Sequence, residues 1–190
     1  MTAITEQLDG ARNVLLAGPS MGGSREVCQS LLAEQVAAPS VLFVSYTQRP
    51  AACVDRWERT GETARNLGVI TVGDGTADLD REDVVTANVS TPSDLTGLGI
   101  ELSQFLSEWE APVVVCFDSL TSMLQYVSFE TAYEFLHAVT GQVQAADALA
   151  HFHIDPSAHD ETAVAGITSL VDARVTVGEE TTVRTRDIIE

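Results

Sequence analysis

The sequence predicts one α/β domain, a mainly parallel sheet flanked by helices on both faces. Short apolar runs of strand length alternate along the chain with amphipathic stretches of helical period. That alternation is how βα units stack into a parallel sheet. At 190 residues, the chain has the length of a single domain, residues 1–190, with one well-buried core.

Asn13 to Ala17 (NVLLA) reads as the first strand. A glycine-rich turn, Gly18 to Ser24, leads into a helix from about Arg25 to Val36. Val41 to Ser45 (VLFVS) is the second strand, and a helix follows from about Ala51 to Asn66. Strands are expected at Gly68 to Val72 and Val84 to Val89, with the acidic stretch Gly73 to Asp83 between them as an exposed loop. Thr91-Pro92-Ser93-Asp94 has the form of a helix start, with a capping side chain just ahead of the apolar periodicity. Leu95, Leu98, Leu102, Phe105, Leu106 and Trp109 then recur on one helical face.

Val113 to Phe117 (VVVCF), bounded by Pro112 and Asp118, is a continuous apolar run of β-forming residues and reads as a central buried strand. Phe129, Ala132, Tyr133, Leu136, Val139 and Val143 mark another amphipathic helix. Strands near Ala148 to Ile154, Ala173 to Val177 and Thr182 to Asp187 complete the pattern, with a helix around Glu161 to Leu170. There is no internal repeat and no low-complexity tail.

Composition narrows the function. No run of 18 apolar residues exists, so no membrane span is expected. Met1 to Asn13 lacks the basic and apolar regions of a signal peptide, which leads to the expectation of a cytoplasmic protein. Acidic residues number 28 against 10 basic ones, a formal net charge of -18, and every basic residue is Arg. Such a surface suits a salt-rich cytoplasm, where self-repulsion is screened. It offers no broad basic footprint for nucleic acid. Cys28, Cys53 and Cys116 share no CxxC spacing and read as three reduced, mostly buried thiols.

A strand, a glycine-rich turn and a helix near the N-terminus form the setting of a phosphate-binding loop, where turn amides and a helix N-terminus face an anion. The working motif is G-x-x-x-x-G-K-[ST]. Gly18-Pro19-Ser20-Met21-Gly22-Gly23-Ser24-Arg25 supplies its glycines at 18 and 23, but Ser24 stands at the Lys position and Arg25 at the hydroxyl position. Moving the register by one makes Ser24 the hydroxyl and puts Gly23 at the Lys position. In either register the Lys that bridges the β- and γ-phosphates is missing. Arg25 is a branched cation and no replacement for a point-charge Lys.

Three readings stay open. The turn is a packing element, it is a weak nucleotide site, or it belongs to a slow ATPase whose missing groups come from a neighbouring subunit. In the second case Gly22, Gly23 and Ser24 cradle phosphates by their amides, Arg25 supplies charge, and ATP or another nucleotide binds with Mg²⁺. Asp118 ends its strand at the edge where α/β sheets bind ligands. Either it holds Mg²⁺ through water or it caps the next helix together with Ser119.

The order of these pieces resembles the KaiC/RadA branch of RecA-type ATPases. The resemblance rests on the degenerate loop Gly18 to Arg25, Val41 to Gln48 (VLFVSYTQ), and the strand ending Asp118-Ser119-Leu120-Thr121. It also rests on His151-Phe152-His153-Ile154-Asp155-Pro156 and Leu170-Val171-Asp172-Ala173-Arg174-Val175. Together these span roughly Asn13 to Val177. With Phe135-Leu136-His137 and Val139-Thr140-Gly141, the pattern is similar to a group of small haloarchaeal KaiC-like proteins.

The resemblance implies a RecA-like fold. It also implies a pair of glutamates after the second strand, one of which activates the attacking water. Thr47-Gln48 stands there instead, and neither side chain is a carboxylate base. With the Lys, the Mg²⁺ hydroxyl and the acid all displaced, the expectation is a pseudo-ATPase with no catalytic residues. It would act through protein contacts, with a partner or with copies of itself. The alternative is a nucleotide-binding switch with little or no hydrolysis.

Other candidates are weaker. His151 and His153 share a face of their strand, with Asp155, His159 and Asp160 close behind, a grouping that suits zinc or a similar ion in ligand type but has only generic spacing, so solvated or core histidines are the commoner case. Ser119 and Ser122 have no triad around them. Trp57 and Trp109 read as packing residues, one of them a candidate interface anchor.

Overall fold

A computed structural model describes residues 2–20, 22–74 and 79–186. The elements run α1 (Thr2–Gln7), β1 (Asn13–Ala17), α2 (Ser24–Gln35), β2 (Ser40–Ser45), α3 (Pro50–Glu58), β3 (Asn66–Val72), β4 (Val84–Val89) and α4 (Leu95–Glu108). They continue with β5 (Val113–Asp118), α5 (Leu120–Met123), α6 (Phe129–Ala145), β6 (Leu149–Ile154), α7 (Glu161–Thr168), β7 (Ala173–Thr176) and β8 (Thr182–Thr185). The strands form one sheet in the order β4-β3-β2-β5-β6-β1-β7-β8. All neighbours pair in parallel except β7 and β8.

Two apolar layers sandwich the sheet. On one side α4, α6 and α7 place Leu98, Leu102, Leu136 and Ile167 against the Leu15, Val115 and Phe117 face. On the other, α2 and α3 place Leu31, Leu32, Val54 and Trp57 against Val14, Val114 and Cys116. Strands buried on both faces have no polar side to alternate with, which is why β1, β2 and β5 read as unbroken apolar runs. No helix among the described residues is long and apolar enough to cross a membrane.

The helix expected from Ala51 to Asn66 ends at Glu58 instead. Apolar positions stop at Trp57, the Thr60 hydroxyl donates back to the Trp57 carbonyl at 2.7 Å, and Gly61 takes φ 78. That left-handed conformation suits glycine after a helix end. Asn66 belongs to β3, where its side-chain amide donates to Ser40 Oγ at 2.8 Å. The helix expected to reach Leu170 stops at Thr168. Of the expected acidic loop 73–83, residues 75–78 lie outside the described residues, as does Asp187 of the last expected strand.

Asp94 caps α4, accepting from the Gly97 amide at 2.8 Å. Both tryptophans pack inside the chain. Trp57 is buried under α3. Trp109 meets Phe105 edge-on at 4.9 Å and lies over Gly68, where a Cβ would come within 2.7 Å of its ring.

Candidate functional site: a phosphate-loop cleft closed by an ion pair

The carboxyl ends of β1, β2, β5 and β6 converge, with Ser45 opposite Asp118 and Ala17 opposite Ile154. The chain leaves β1 at Gly18, whose amide donates to the Ile154 carbonyl at 3.0 Å. Nothing larger than glycine fits there, because a Cβ would fall 2.5 Å from Ser24 Oγ and 3.2 Å from the Val177 carbonyl. The Gly22 amide turns back onto the Pro19 carbonyl at 2.9 Å, and Gly23 stands at the N-cap of α2. Met21 lies outside the described residues.

The resulting cleft has a volume of about 330 Å³. Gly18, Gly22, Ser24 and Arg25 line one wall, with Asp118, Thr47 and Gln48 opposite. Gly23 is part of the loop but not of the lining.

Arg25 spans this cleft. Its Nε donates to Asp118 Oδ2, and its Nη2 lies 3.3 Å from both Asp118 Oδ1 and Thr47 Oγ1. The Asp118 side chain is only 10% exposed and that of Arg25 25%. Burial alone would lower the guanidinium pKa, but the hydrogen bond and charge of Asp118 outweigh it and raise it above its ordinary value. Asp118 therefore does not cap α5. Ser119 does so, accepting from the Ser122 amide at 3.2 Å. Gln48 is engaged elsewhere, its Oε1 accepting from Arg56 Nη2 at 2.7 Å.

A second internal carboxylate sits against the loop. Asp155 Oδ2 accepts from the Ser20 amide at 2.9 Å and the Ser20 hydroxyl at 3.1 Å. Its Oδ1 accepts from the Ser157 amide and hydroxyl. These donors hold its pKa down to about 2. A carboxylate belonging to the chain itself thus takes one amide of the loop.

The residues present do not fit a Mg²⁺–triphosphate. The acid that would hold the metal is neutralised by a guanidinium, the Ser24 hydroxyl is packed against Gly18, and the chain has no lysine.

The histidine–aspartate grouping suggested by the sequence is not brought together. His159 Nε2 lies 3.0 Å from Thr121 Oγ1, Asp155 serves the loop, and Asp160 stands at the N-cap of α7. His151 and His153 turn inward, toward cysteines. Cys116 Sγ lies 3.3 Å from Cys28 Sγ and 3.4 Å from His153 Nε2, and Cys28 Sγ lies 3.6 Å from His151 Nδ1. All four side chains are buried.

Sequence reasoning missed this cluster because its members come from three elements. The available signal was period two on the strands, which puts Cys116 on the face of Asp118 and His153 on the face of His151. The Cys28 hydrogen bond lowers the Cys116 pKa and His153 lowers it further, while Cys116 overcomes burial to raise that of His153.

Comparison with known proteins agrees with this architecture. The model of a family of unknown function, DUF7504, matches residues 11–177. A protein of Pyrococcus horikoshii OT3 superimposes with a TM-score of 0.63 at 17% identity, covering 94% of this chain and 88% of its own. The flagellar accessory protein FlaH from Methanocaldococcus jannaschii gives a TM-score of 0.57 at 13% identity, covering 90% and 75%. No curated protein matches the sequence. The fold is α/β and RecA-like.

Proposed function

We propose, from the premise that the chain belongs to the DUF7504 family, that it is a non-catalytic RecA-like protein that regulates or scaffolds an assembly through protein contacts. The observation that carries this reading is the Arg25–Asp118 pair across the phosphate-loop cleft. A hydrolysing site of this type needs a cation on the β- and γ-phosphates, a hydroxyl and an acid on Mg²⁺, and a residue that positions water. Here the cation position holds Ser24, the hydroxyl position holds Arg25, and the acid is tied to that same Arg25. Thr47 and Gln48 stand where a base would be, and neither takes a proton from water. Arg25 and Asp118 instead fasten α2 to β5.

With the cleft spanned from within, the exposed outer faces are left as the working surface. A partner or a second copy is the expected ligand. The acidic surface favours cytoplasmic work at high salt, where long-range repulsion between chains is screened.

Phosphate release from ATP in near-saturating KCl tests the reading. No turnover above the buffer is expected, and steady release that survives repurification and vanishes in Asp118→Asn would overturn it. A nucleotide-binding switch is the second reading. It is favoured by the partial exposure of Arg25, whose guanidinium can leave Asp118 to meet a phosphate. Tight binding of ADP or ATP without turnover would support that reading over the first.

A further inference from the structure

We propose that Cys28, Cys116 and His153 form a buried site for a thiophilic d¹⁰ cation, with Zn²⁺ as the ion of best fit and His151, beside Cys28, as the nearest further donor. The first three offer ligand atoms that all lie within 4.8 Å of one another. The two sulfur–nitrogen separations come within about 0.2 Å of the edges of a metal-centred tetrahedron, and the sulfur–sulfur separation is about 0.5 Å shorter than such an edge. Zinc bonds of about 2.3 Å to sulfur and 2.0–2.1 Å to nitrogen put two sulfurs about 3.8 Å apart and a sulfur and nitrogen about 3.6 Å apart. The observed separations are 3.3 Å for Cys28–Cys116, 3.4 Å for Cys116–His153 and 3.6 Å for Cys28–His151. Two sulfurs with imidazole nitrogens are the donor set that selects such ions over Mg²⁺ or Ca²⁺.

An independent feature supports the assignment. His151 Nε2 lies 3.2 Å from Gln35 Oε1, an acceptor, so that nitrogen carries the ring proton. The lone pair is then on Nδ1, the atom facing Cys28. Metal-ligating histidines are oriented by this kind of outer hydrogen bond. Charge fits as well, because two thiolates neutralise a divalent ion and leave a buried centre with no net charge.

The site lies beneath the phosphate-loop cleft. Cys28 is one turn along α2 from Arg25, Cys116 lies two residues before Asp118 on β5, and His153, on β6, lies two residues before Asp155 and lines the cleft. A bound ion would join α2, β5 and β6 directly under the Arg25–Asp118 pair and hold the loop's helix in place. This inference does not depend on whether the cleft takes nucleotide.

The test is titration of the chelator-treated, reduced full-length protein with Co²⁺ in concentrated KCl, followed by displacement with Zn²⁺. One cobalt per chain is expected, with thiolate-to-cobalt charge transfer in the near ultraviolet and the intense visible bands of tetrahedral coordination. Zn²⁺ should abolish both and raise the melting temperature. Cys53→Ser should keep the spectrum, whereas Cys28→Ser and Cys116→Ser should each weaken binding at least a hundredfold. The wild-type spectrum alone decides if those variants fail to fold. Absence of stoichiometric cobalt, weak octahedral bands, or a protein that only forms a Cys28–Cys116 disulfide would overturn the proposal.

Discussion

Arg25 meets Asp118 through two guanidinium nitrogens, so the cation beside this carboxylate is a side chain of the chain itself. The two residues lie 93 positions apart, and only the adjacency of the loop's helix to β5 brings them together. Removing one partner strands the other. Arg25→Ala leaves a nearly buried carboxylate unpaired and should destabilise the fold by about 1–3 kcal/mol, less than for a fully buried pair because Arg25 is partly exposed. Asp118→Asn should cost a similar amount, and the double variant less than the sum. Urea denaturation of the four proteins in concentrated KCl measures the coupling.

Two glycines of the loop should behave oppositely. Gly18→Ala drives a Cβ into Ser24 Oγ and the Val177 carbonyl, so a loss of about 1–3 kcal/mol is expected. Gly23→Ala meets nothing within 4 Å and should change stability by less than about 1 kcal/mol. Thermal melts of the two variants side by side check the contrast.

Tyr46 gives a pH dependence with a definite sign. Its ring packs on Phe117 and Tyr126, and its buried hydroxyl has no hydrogen-bond partner among the described residues. Burial, aided by Tyr126, raises its pKa above the ordinary 10.0. The unfolded chain therefore releases this proton first. The contribution to stability is complete below pH 10.0 and is lost as pH rises toward the folded value. Tyr46→Phe should flatten the alkaline fall in stability. At neutral pH it should be neutral or stabilising by up to about 1 kcal/mol, since it deletes an unsatisfied polar group.

A net charge of -18 with no lysine makes self-repulsion a cost of the compact state. The melting temperature should climb as KCl is raised from the dilute to the molar range, because shortening the Debye length weakens that repulsion. A melting temperature that is flat or falls with salt would remove the argument from composition.

Much of the fold was legible in the sequence because it rests on local signals. β1 and β5 are doubly buried and carry no polar break, and α4 displays its apolar face from Leu95 to Leu106 behind the Asp94 cap. The end of α3 was misjudged because helix-compatible residues continue after Trp57, whereas the backbone turns at Gly61. The glycine-rich turn between β1 and α2 was readable from glycine spacing, as was the placement of Asp118 at a strand end. That Arg25 turns onto Asp118, and that Asp155 turns onto Ser20, was not readable. Both contacts join distant segments through the strand order, which places β6 between β1 and β5. The Cys28–Cys116–His153 cluster was hidden for the same reason. Its members have no short spacing, and each alone reads as an ordinary buried residue.

Calorimetric titration with ATP at fixed, saturating Mg²⁺ in near-saturating KCl, with wild type and Arg25→Ala run in parallel, tests whether Arg25 takes the place of the metal–phosphate cation at Asp118. No Mg²⁺-dependent binding by the wild type is expected up to millimolar nucleotide. Micromolar, Mg²⁺-dependent binding by the wild type that is lost in Asp118→Asn would show that Arg25 does not take that place.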